Sequence, residues 1–388
     1  MYVDYHPFLW GLSVILSLLP IFEVEAQLIP DNTLGKENSV VNSVDSFLKE
    51  IEGGAIRGSN LFHSFKEFNI DNGKSVYFKN PNNIKNILTR ITGSNYSRIF
   101  GSLGVNLDAN LFLINPNGII FGENAKLDMG GSFVGSTANS LKLSDGTEFN
   151  AINPSSNSIL TVNVPLGLQY GANPGNIELQ GKSVSELQVE NSKSLALIGG
   201  NIKIDGGKLT APSGGIDLLA VHNGEVSLVN SSGELKFLTE EGIDYGDIEI
   251  LNKSNIDASG NHGGNINLKG KNITIKDRSQ IITNTLGNGS GETLNITATE
   301  LFKINYSGLF ADVEENATGT GSDLIINSKR LLITDRSFIS SSTYGFGDTG
   351  NFKVKAEAIH IADRSFLYAL VLGEARGNGG DLTVETNN

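Results

Sequence analysis

The chain has 388 residues, a formal net charge of −13 and no cysteine. The acidic excess argues against nucleic-acid binding, because an acidic surface repels phosphate backbones. The lack of cysteine in the sequence excludes disulfides, zinc–thiolate sites and thiol catalysis. Glycine, with 46 residues, exceeds its usual share and favours tight turns over long helices. Hydrophobic residues make up 39% of the chain, which is enough for a substantial core.

The N-terminal segment has the features of a secretory signal peptide. Residues 8–22 form an uncharged apolar run that is too short for a comfortable membrane span. Val24 and Ala26 fit the preference for small residues at a cleavage site, so residues 1–26 are expected to be removed by cleavage before Gln27. The segment before the apolar run holds no lysine or arginine. The alternatives are therefore a buried N-terminal segment or a misplaced start codon.

Short runs of alternating apolar and polar residues recur after residue 60 and predict β-strands. Examples are residues 111–114, 201–204 and 265–268, each bounded by Gly, Asn, Asp or Ser. Few hairpin signals join neighbouring runs, so an antiparallel meander is not favoured. One short helix is predicted at residues 42–51, ended by the glycine pair that follows.

The C-terminal third is repetitive and predicts the architecture. From residue 263 onward, units of 28–30 residues recur, each read from the sequence as three strands, with a serine in the turn before the third strand. Three of the turns read Asp-Arg-Ser, and the four serines are Ser279, Ser307, Ser337 and Ser365. Such a unit cannot bury its own apolar face, whereas copies stacked about 4.8 Å apart can. The pattern predicts one continuous parallel β-helix, with roughly 12–18 rungs at about 20–30 residues per rung.

Residues 31–212 contain several segments that together suggest a known family. These segments are residues 34–39, 51–65, 76–78, 110–122, 132–139 and 195–200. The most specific contains the motif Asn-Pro-Asn-Gly-Ile at Asn115, Pro116, Asn117, Gly118 and Ile119. A second motif, Asn-Pro-Asn-Leu in the family, is present only as Asn80-Pro81-Asn82-Asn83. In these segments the chain resembles the N-terminal secretion domain of filamentous-haemagglutinin-type exoproteins, which are exported by two-partner secretion, and above all their cyanobacterial branch.

The resemblance implies an all-β fold: a right-handed parallel β-helix, or β-solenoid, with an N-terminal cap. It implies export by the Sec machinery into the periplasm of a Gram-negative-type bacterium. An outer-membrane β-barrel two-partner-secretion transporter would then recognise this region and release the chain to the outside or the cell surface. The domains expected are a signal peptide at 1–26, a secretion domain at 27–215 and a continuing β-helix at 216–388. The two motifs, residues 115–119 and the segment with Asn80 and Pro81, are implied to act in secretion.

The chemistry of residues 115–119 also predicts a simple turn. Pro116 presets φ and Gly118 accepts a positive φ, so the motif can end one strand and begin the next in fixed register. Whether Asn115 and Asn117 contact the transporter or only shape the turn stays open, with the turn favoured. We expect Gly118→Val to impair secretion and Gly347→Val, within the repeats, to be tolerated better.

No pattern in the sequence indicates catalysis, a cofactor or a metal site. The histidines are scattered without paired spacing: His6, His63, His222, His262 and His360. Asp277, Asp335 and Asp363 recur in the turn slot of the repeats, where Asp commonly caps a turn. We predict a non-enzymatic, adhesive or structural exoprotein, whose cell-surface or carbohydrate ligand the sequence does not identify. The alternative is a carbohydrate-active β-helix enzyme of the polysaccharide lyase or hydrolase type.

Overall fold

The computed structural model describes residues 1, 27–154, 160–181, 185–231 and 233–386. The predicted signal peptide lies outside the described residues except for Met1, so its cleavage stays a prediction. Within these ranges no helix is long and apolar enough to cross a membrane. The strands in chain order are β1 (Leu28–Pro30), β2 (Ser39–Ser43), β3 (Leu48–Gly53), β4 (Ala55–Arg57), β5 (Asn60–Phe68), β6 (Ser75–Phe78), β7 (Asn86–Ile91), β8 (Ser97–Ile99), β9 (Ser102–Val105), β10 (Asn110–Ile114), β11 (Ile119–Phe121), β12 (Lys126–Asp128), β13 (Phe133–Ser136), β14 (Ser140–Leu143), β15 (Glu148–Asn150), β16 (Pro165–Tyr170), β17 (Ile177–Gln180), β18 (Glu186–Gln188), β19 (Ser194–Gly199), β20 (Ile202–Asp205), β21 (Lys208–Thr210), β22 (Gly215–Ser231), β23 (Glu234–Thr239), β24 (Asp244–Tyr245), β25 (Ile248–Leu251), β26 (Asn255–Asp257), β27 (Asn265–Lys276), β28 (Gln280–Ile282), β29 (Thr293–Asn305), β30 (Gly308–Phe310), β31 (Asp323–Thr334), β32 (Phe338–Ser340), β33 (Phe352–Ile361), β34 (Phe366–Tyr368) and β35 (Leu382–Thr386).

Most strands belong to three parallel stacks that run along the molecule. The first stack is β5, β7, β10, β13, β19, the start of β22, the first halves of β27, β29, β31 and β33, and β35. The second stack is β8, β11, β17, β20, β25 and the second halves of β27, β29, β31 and β33. The third stack is β3, β6, β9, β12, β18, β21, β26, β28, β30, β32 and β34. One strand from each stack makes one rung of the β-helix.

The inward side chains of all three stacks form one continuous core. Its buried members run from Ile51 near the N-terminus to Ala356 near the C-terminus. At one inward position of the repeats, Ile266, Leu294 and Leu324 pair in register on successive rungs and are fully buried. Burial of apolar surface stabilises a protein by about 25 cal/mol per Å². A single repeat unit has no core of its own, so each added rung extends the shared core and adds to this stabilisation.

The N-terminal cap is built from strands and contains a correction to the sequence analysis. The predicted helix at residues 42–51 is wrong: β2 and β3 form an antiparallel hairpin there. Asp45 accepts hydrogen bonds from the backbone N–H groups of Phe47 (2.7 Å) and Leu48 (2.9 Å), which closes a turn in place of a helical one. Nearby, β1 and β4 pair antiparallel with β5 and cover the first edge of the first stack.

A second layer, which the sequence analysis did not predict, lies against the outer face of the first stack. It consists of β14, β15, β16, the end of β22, and β23, which pair antiparallel. Between the layers is a second core in which the rings of Phe62 and Phe149 meet edge to face, with centroids 5.1 Å apart. Because these residues leave the coil, the first and third stacks hold eleven strands each among the described residues, fewer than the roughly 12–18 rungs expected.

The Asp-Arg-Ser segments form turns that stack through their serines. Asp277 and Arg278 both have φ near 60°, in the left-handed region of a tight turn. The N–H of Ser279 donates to Oγ of Ser307 on the next rung (3.2 Å), and the N–H of Ser307 donates to Oγ of Ser337 (3.3 Å). The buried serines of this ladder are Ser254, Ser279, Ser307, Ser337 and Ser365. The repeated polar residues therefore satisfy buried backbone groups at one corner of the coil.

A buried carboxyl on β22 predicts a pH-dependent stability. Asp217 is 1% exposed; its Oδ1 accepts a hydrogen bond from Nδ2 of Asn267 (3.0 Å), and its Oδ2 has no partner among the described residues. Burial, reinforced by the charge of Glu234, raises the pKa of Asp217 to about 7. The pKa of Asp217 in the folded chain lies above its value in the unfolded chain. This carboxyl therefore stabilises the fold most below about pH 4, and its stabilising contribution is lost as the pH rises through 7.

Asp217→Asn is therefore expected to raise the free energy of unfolding at pH 8 by about 1–3 kcal/mol, since it removes the buried charge but keeps an acceptor. At pH 4 the gain should vanish, because the native carboxyl is then protonated. Urea unfolding of the mature chain at both pH values measures this. Asp205→Asn is the control, because hydrogen bonding by Asn252 lowers the pKa of that partly exposed carboxyl. An equal effect of Asp217→Asn at both pH values would contradict the prediction.

Candidate secretion motif

Residues 115–118 form the turn between β10 of the first stack and β11 of the second. The N–H of Gly118 donates to the carbonyl oxygen of Asn115 (3.0 Å), which closes the turn. Gly118 has a φ of +127°, and a Cβ there would lie 3.0 Å from the carbonyl oxygen of Asn176. Pro116 is buried, and Ile119 is a fully buried member of the core that begins β11. The motif is thus a corner of the β-helix that tolerates only glycine at its fourth position without strain.

The side chain of Asn115 is fully buried and fully engaged within the protein. Its Nδ2 donates to the carbonyl oxygen of Asn95 and to Oγ of Ser97, both at 3.0 Å. Its Oδ1 accepts from the N–H and from Nδ2 of Asn117, again at 3.0 Å. Asn117 is exposed, and its Nδ2 also donates to the carbonyl oxygen of Gly93 (2.8 Å). In the folded chain Asn115 therefore shapes the turn, and of these two residues only Asn117 is accessible to a partner.

The turn also connects the rung below to the rung above. From the rung below, the N–H of Ser97 donates to the carbonyl oxygen of Gly118 (3.0 Å). From the rung above, the N–H of Gly175 donates to the carbonyl oxygen of Pro116 (2.8 Å). A side chain at Gly175 would overlap the backbone of Asn117, so the upper loop rests directly on the motif. On the rungs above, the same corner is occupied by Asn176, Asn201, Asp247 and Asn272. The side-chain oxygen of each of the first three accepts the backbone N–H of the next residue in this series, one rung further on. The motif lies at the start of this polar ladder.

The second motif lies at a different corner. Asn80 is half-buried and Pro81 is exposed, in the loop between β6 and β7, where the carbonyl oxygen of Pro81 accepts the N–H of Ile84 (3.1 Å). This loop precedes β7, whereas Asn115 follows β10, and the two strands pair parallel in register. The structure therefore places the two motifs at opposite ends of neighbouring strands and does not bring them together.

The sequence analysis missed a buried arginine beside the motif. Arg90 of β7 is fully buried and donates from Nε to Oγ of Ser64 (3.0 Å), from Nη1 to the carbonyl oxygen of Asn150 (2.7 Å) and from Nη2 to Oγ1 of Thr33 (2.9 Å). Its guanidinium also lies 4.3 Å from the ring centroid of Phe149. Burial lowers the pKa of Arg90 to about 10. A lone arginine inside an apolar strand was the available signal, because such a residue is almost never buried without partners.

The described histidines and repeated aspartates do not form a metal site. His63 is buried beside Ser39, whose Oγ lies 3.0 Å from Nδ1, and burial lowers the pKa of His63 to about 3. Within the described ranges, no group of three or more His, Asp or Glu side chains is arranged to hold a metal ion. His6 lies outside the described residues.

Comparison with known proteins gives consistent matches. The family model of the TPS secretion domain, in which TPS stands for two-partner secretion, matches residues 26–268. The structure resembles the HMW1 secretion domain from Haemophilus influenzae, with a TM-score of 0.50, 19% identity, and coverage of 90% of this chain and 98% of that chain. It also matches a filamentous hemagglutinin secretion domain with a TM-score of 0.44, 14% identity, and coverage of 92% and 99%. The predicted all-β parallel β-helix is confirmed by the strand stacks and by the first of these likenesses.

A curated relative matches a shorter segment. The heme/hemopexin-binding protein of Haemophilus influenzae (strain ATCC 51907 / DSM 11121 / KW20 / Rd) is 38% identical over 66 residues, which cover 17% of this chain. The match spans only 7% of the length of that relative.

Proposed function

The chain belongs to the family of TPS secretion domains, and from this premise we propose that it directs the export of an exoprotein by two-partner secretion in a Gram-negative-type bacterium. The observation that carries the proposal is the family match over residues 26–268, which spans the cap, the Asn115 turn and the coil as far as β27. The partner we propose is an outer-membrane β-barrel transporter that recognises this region after Sec export. The chain then reaches the cell surface or the medium.

We further propose an adhesive or structural role without enzymatic activity. The polar residues that recur along the chain, such as Ser279 and Asp277, are engaged in corner ladders and turns, which supports a stabilising role for them. A carbohydrate-active enzyme would need a group of acids and bases converging on one substrate position. Among the described residues, Asp312 and Glu314 lie near each other, but they accept hydrogen bonds from Ser340 and Asn284, which supports a structural or binding role for them. The continuous core from Ile51 to Ala356 supports a secretion domain at 27–215 that continues directly into a β-helix at 216–388, with the repeats from residue 263. The likeness to the cyanobacterial branch stays a prediction from sequence.

The proposal is tested by expressing the full chain in a Gram-negative host with and without a two-partner-secretion transporter from the source organism. We expect the protein outside the cells only when the transporter is present, with an N-terminus at Gln27. The matched control is the same transporter without its periplasmic domains, which should leave the chain in the periplasm. Equal release without any transporter would overturn the proposal.

A further inference from the structure

The outer face of the third stack changes character in its last rungs. On β30, β32 and β34 the outward positions carry four aromatic residues, which we call the aromatic strip: Phe310, Phe338, Phe366 and Tyr368. Phe338 is 37% exposed and Phe366 is 47% exposed. The rings of Phe338, Phe366 and Tyr368 are near-parallel, with interplanar angles of 5–16° and centroids 5.6–6.2 Å apart. The ring of Phe310 occupies the space where a side chain at Gly308 would lie, so it extends the strip by one rung.

The β-helix does not require these aromatic rings. Four earlier rungs of the third stack pair in the same parallel register with polar outward side chains, which are Lys126, Asp128, Glu186, Gln188, Lys208, Thr210, Asn255 and Asp257. On β28, directly before the strip, the outward residues are Gln280 and Ile282. Half-exposed aromatic rings cost solubility and are a common feature of binding surfaces. Formation of the coil therefore does not explain the aromatic strip, whereas binding of a ligand would.

At Phe310 the strip meets an open groove of about 730 Å³ that crosses three successive rungs. Its lining includes Asn284, Leu286, Phe310, Asp312, Glu314 and Tyr344. The wall is regular, because the N–H of Glu314 donates to the carbonyl oxygen of Thr285 and the N–H of Tyr344 donates to that of Val313, one rung further on. The groove thus follows the long axis of the coil and suits an extended ligand.

The chemistry of the groove combines apolar rings with hydrogen-bonding groups of negative charge. Tyr344 is 41% exposed. Burial and the nearby carboxylates of Asp312 and Glu314 raise the pKa of its hydroxyl, which stays a donor at neutral pH. Glu314 accepts a hydrogen bond from Nδ2 of Asn284 (2.6 Å) and retains further acceptor capacity. Polyanions such as nucleic acids or sulfated glycans are repelled by Glu314, Glu315 and the net charge of the chain.

We propose that this groove binds a neutral polysaccharide, whose sugar rings pack on Phe310, Tyr344 and the neighbouring rings of the aromatic strip while their hydroxyls donate to Glu314 and Glu315. A neutral glycan offers apolar C–H faces for aromatic rings and hydroxyl donors for carboxylates, and it carries no charge that the groove would repel. A linear chain can also follow the rung-to-rung repetition of the wall. The proposal specifies the ligand for the adhesive role above, but the binding step is independent of the export route.

Isothermal titration of the purified mature chain tests this with four neutral probes: cellohexaose, xylohexaose, mannohexaose and laminarihexaose. We expect at least one to bind with a Kd of about 1 mM or tighter. Tyr344→Ala and Phe310→Ala should each weaken that binding by about tenfold, since each removes an aromatic face on which a sugar ring would pack. Phe47→Ala is the control, because Phe47 is 65% exposed and lies in the N-terminal hairpin.

Unchanged circular dichroism and melting temperature show that the variants are folded. The proposal is overturned if none of the four probes binds, or if both groove variants bind as well as the parent chain. It is also overturned if hexalysine or oligogalacturonate binds more tightly than every neutral probe, because the groove would then select charge. These outcomes are distinct from a failure of two-partner export, since the assay uses purified protein.

Discussion

Replacing Gly118 with valine is expected to reduce the amount of exported protein by about tenfold or more, because the change costs on the order of 1–3 kcal/mol at the start of the β-helix. The φ of +127° is a conformation that β-branched residues rarely adopt, and the added Cβ would press on the carbonyl oxygen of Asn176. That carbonyl accepts the N–H of Ile119 (3.0 Å), so the clash falls on the bond that sets the register of β11. Quantitative immunoblotting of the medium, with the transporter present, measures the effect.

The matched control must be a glycine with similar backbone strain but no crowding. Gly347 does not qualify, because a Cβ there would overlap the carbonyl oxygen of Gly319; this crowding argues against the expectation that valine is tolerated better there than at Gly118. Gly373 has a φ of +64° and no atom within 4 Å of an added Cβ, and it lies in the late repeats. Gly373→Val should therefore be exported at close to the parental level. Equal losses for Gly118→Val and Gly373→Val would show that the Asn115 turn has no special role.

The repeats could be predicted from the sequence because each level of structure there agrees with the others. The spacing of Ser279 and Ser307 reflects one rung, and their hydrogen bond joins consecutive rungs. The inward residues alternate within each half of β27, and the phase of this alternation shifts once, at the corner after Gly270. Local pattern and tertiary environment then carry the same information.

The N-terminal half was less predictable because tertiary contacts decide its structure. The hairpin at residues 39–53 replaces the predicted helix, since pairing with β3 and the Asp45 turn outweigh a weak helical pattern. Residues 111–114 are buried on both faces, with Phe112 and Ile114 turned toward the second layer. Such a continuous apolar run was a signal for two-sided burial, but the strands of the covering layer come from distant parts of the sequence. Asn115 was identified by its motif, whereas its buried hydrogen bonds depend on a loop 20 residues away.

Arg90 joins three parts of the N-terminal region that are separate in sequence. It contacts Thr33 of the cap, Ser64 of the first rung and Asn150 of the second layer, all through its guanidinium. Asp31 lies in the same network; burial raises its pKa, but hydrogen bonds from Thr33 and Thr92 outweigh this and hold the pKa below the usual value. A planar group with five donors can serve all three partners at once, which an ammonium on a flexible stem cannot do.

Arg90→Met is accordingly expected to lower the free energy of unfolding of the mature chain by about 3 kcal/mol, because it leaves buried acceptors and the Asp31 carboxylate without their cation. Arg90→Lys keeps the charge but reaches fewer partners, so we expect about half that loss. Arg98→Met is the control, since Arg98 is exposed and stacks on Tyr96, and its loss should stay below about 0.5 kcal/mol. Urea unfolding monitored by circular dichroism ranks the three variants. If Arg90→Met proved no less stable than Arg98→Met, the cap and the second layer would be held by apolar packing alone. In that case the buried guanidinium would not couple the cap to the first rungs of the coil.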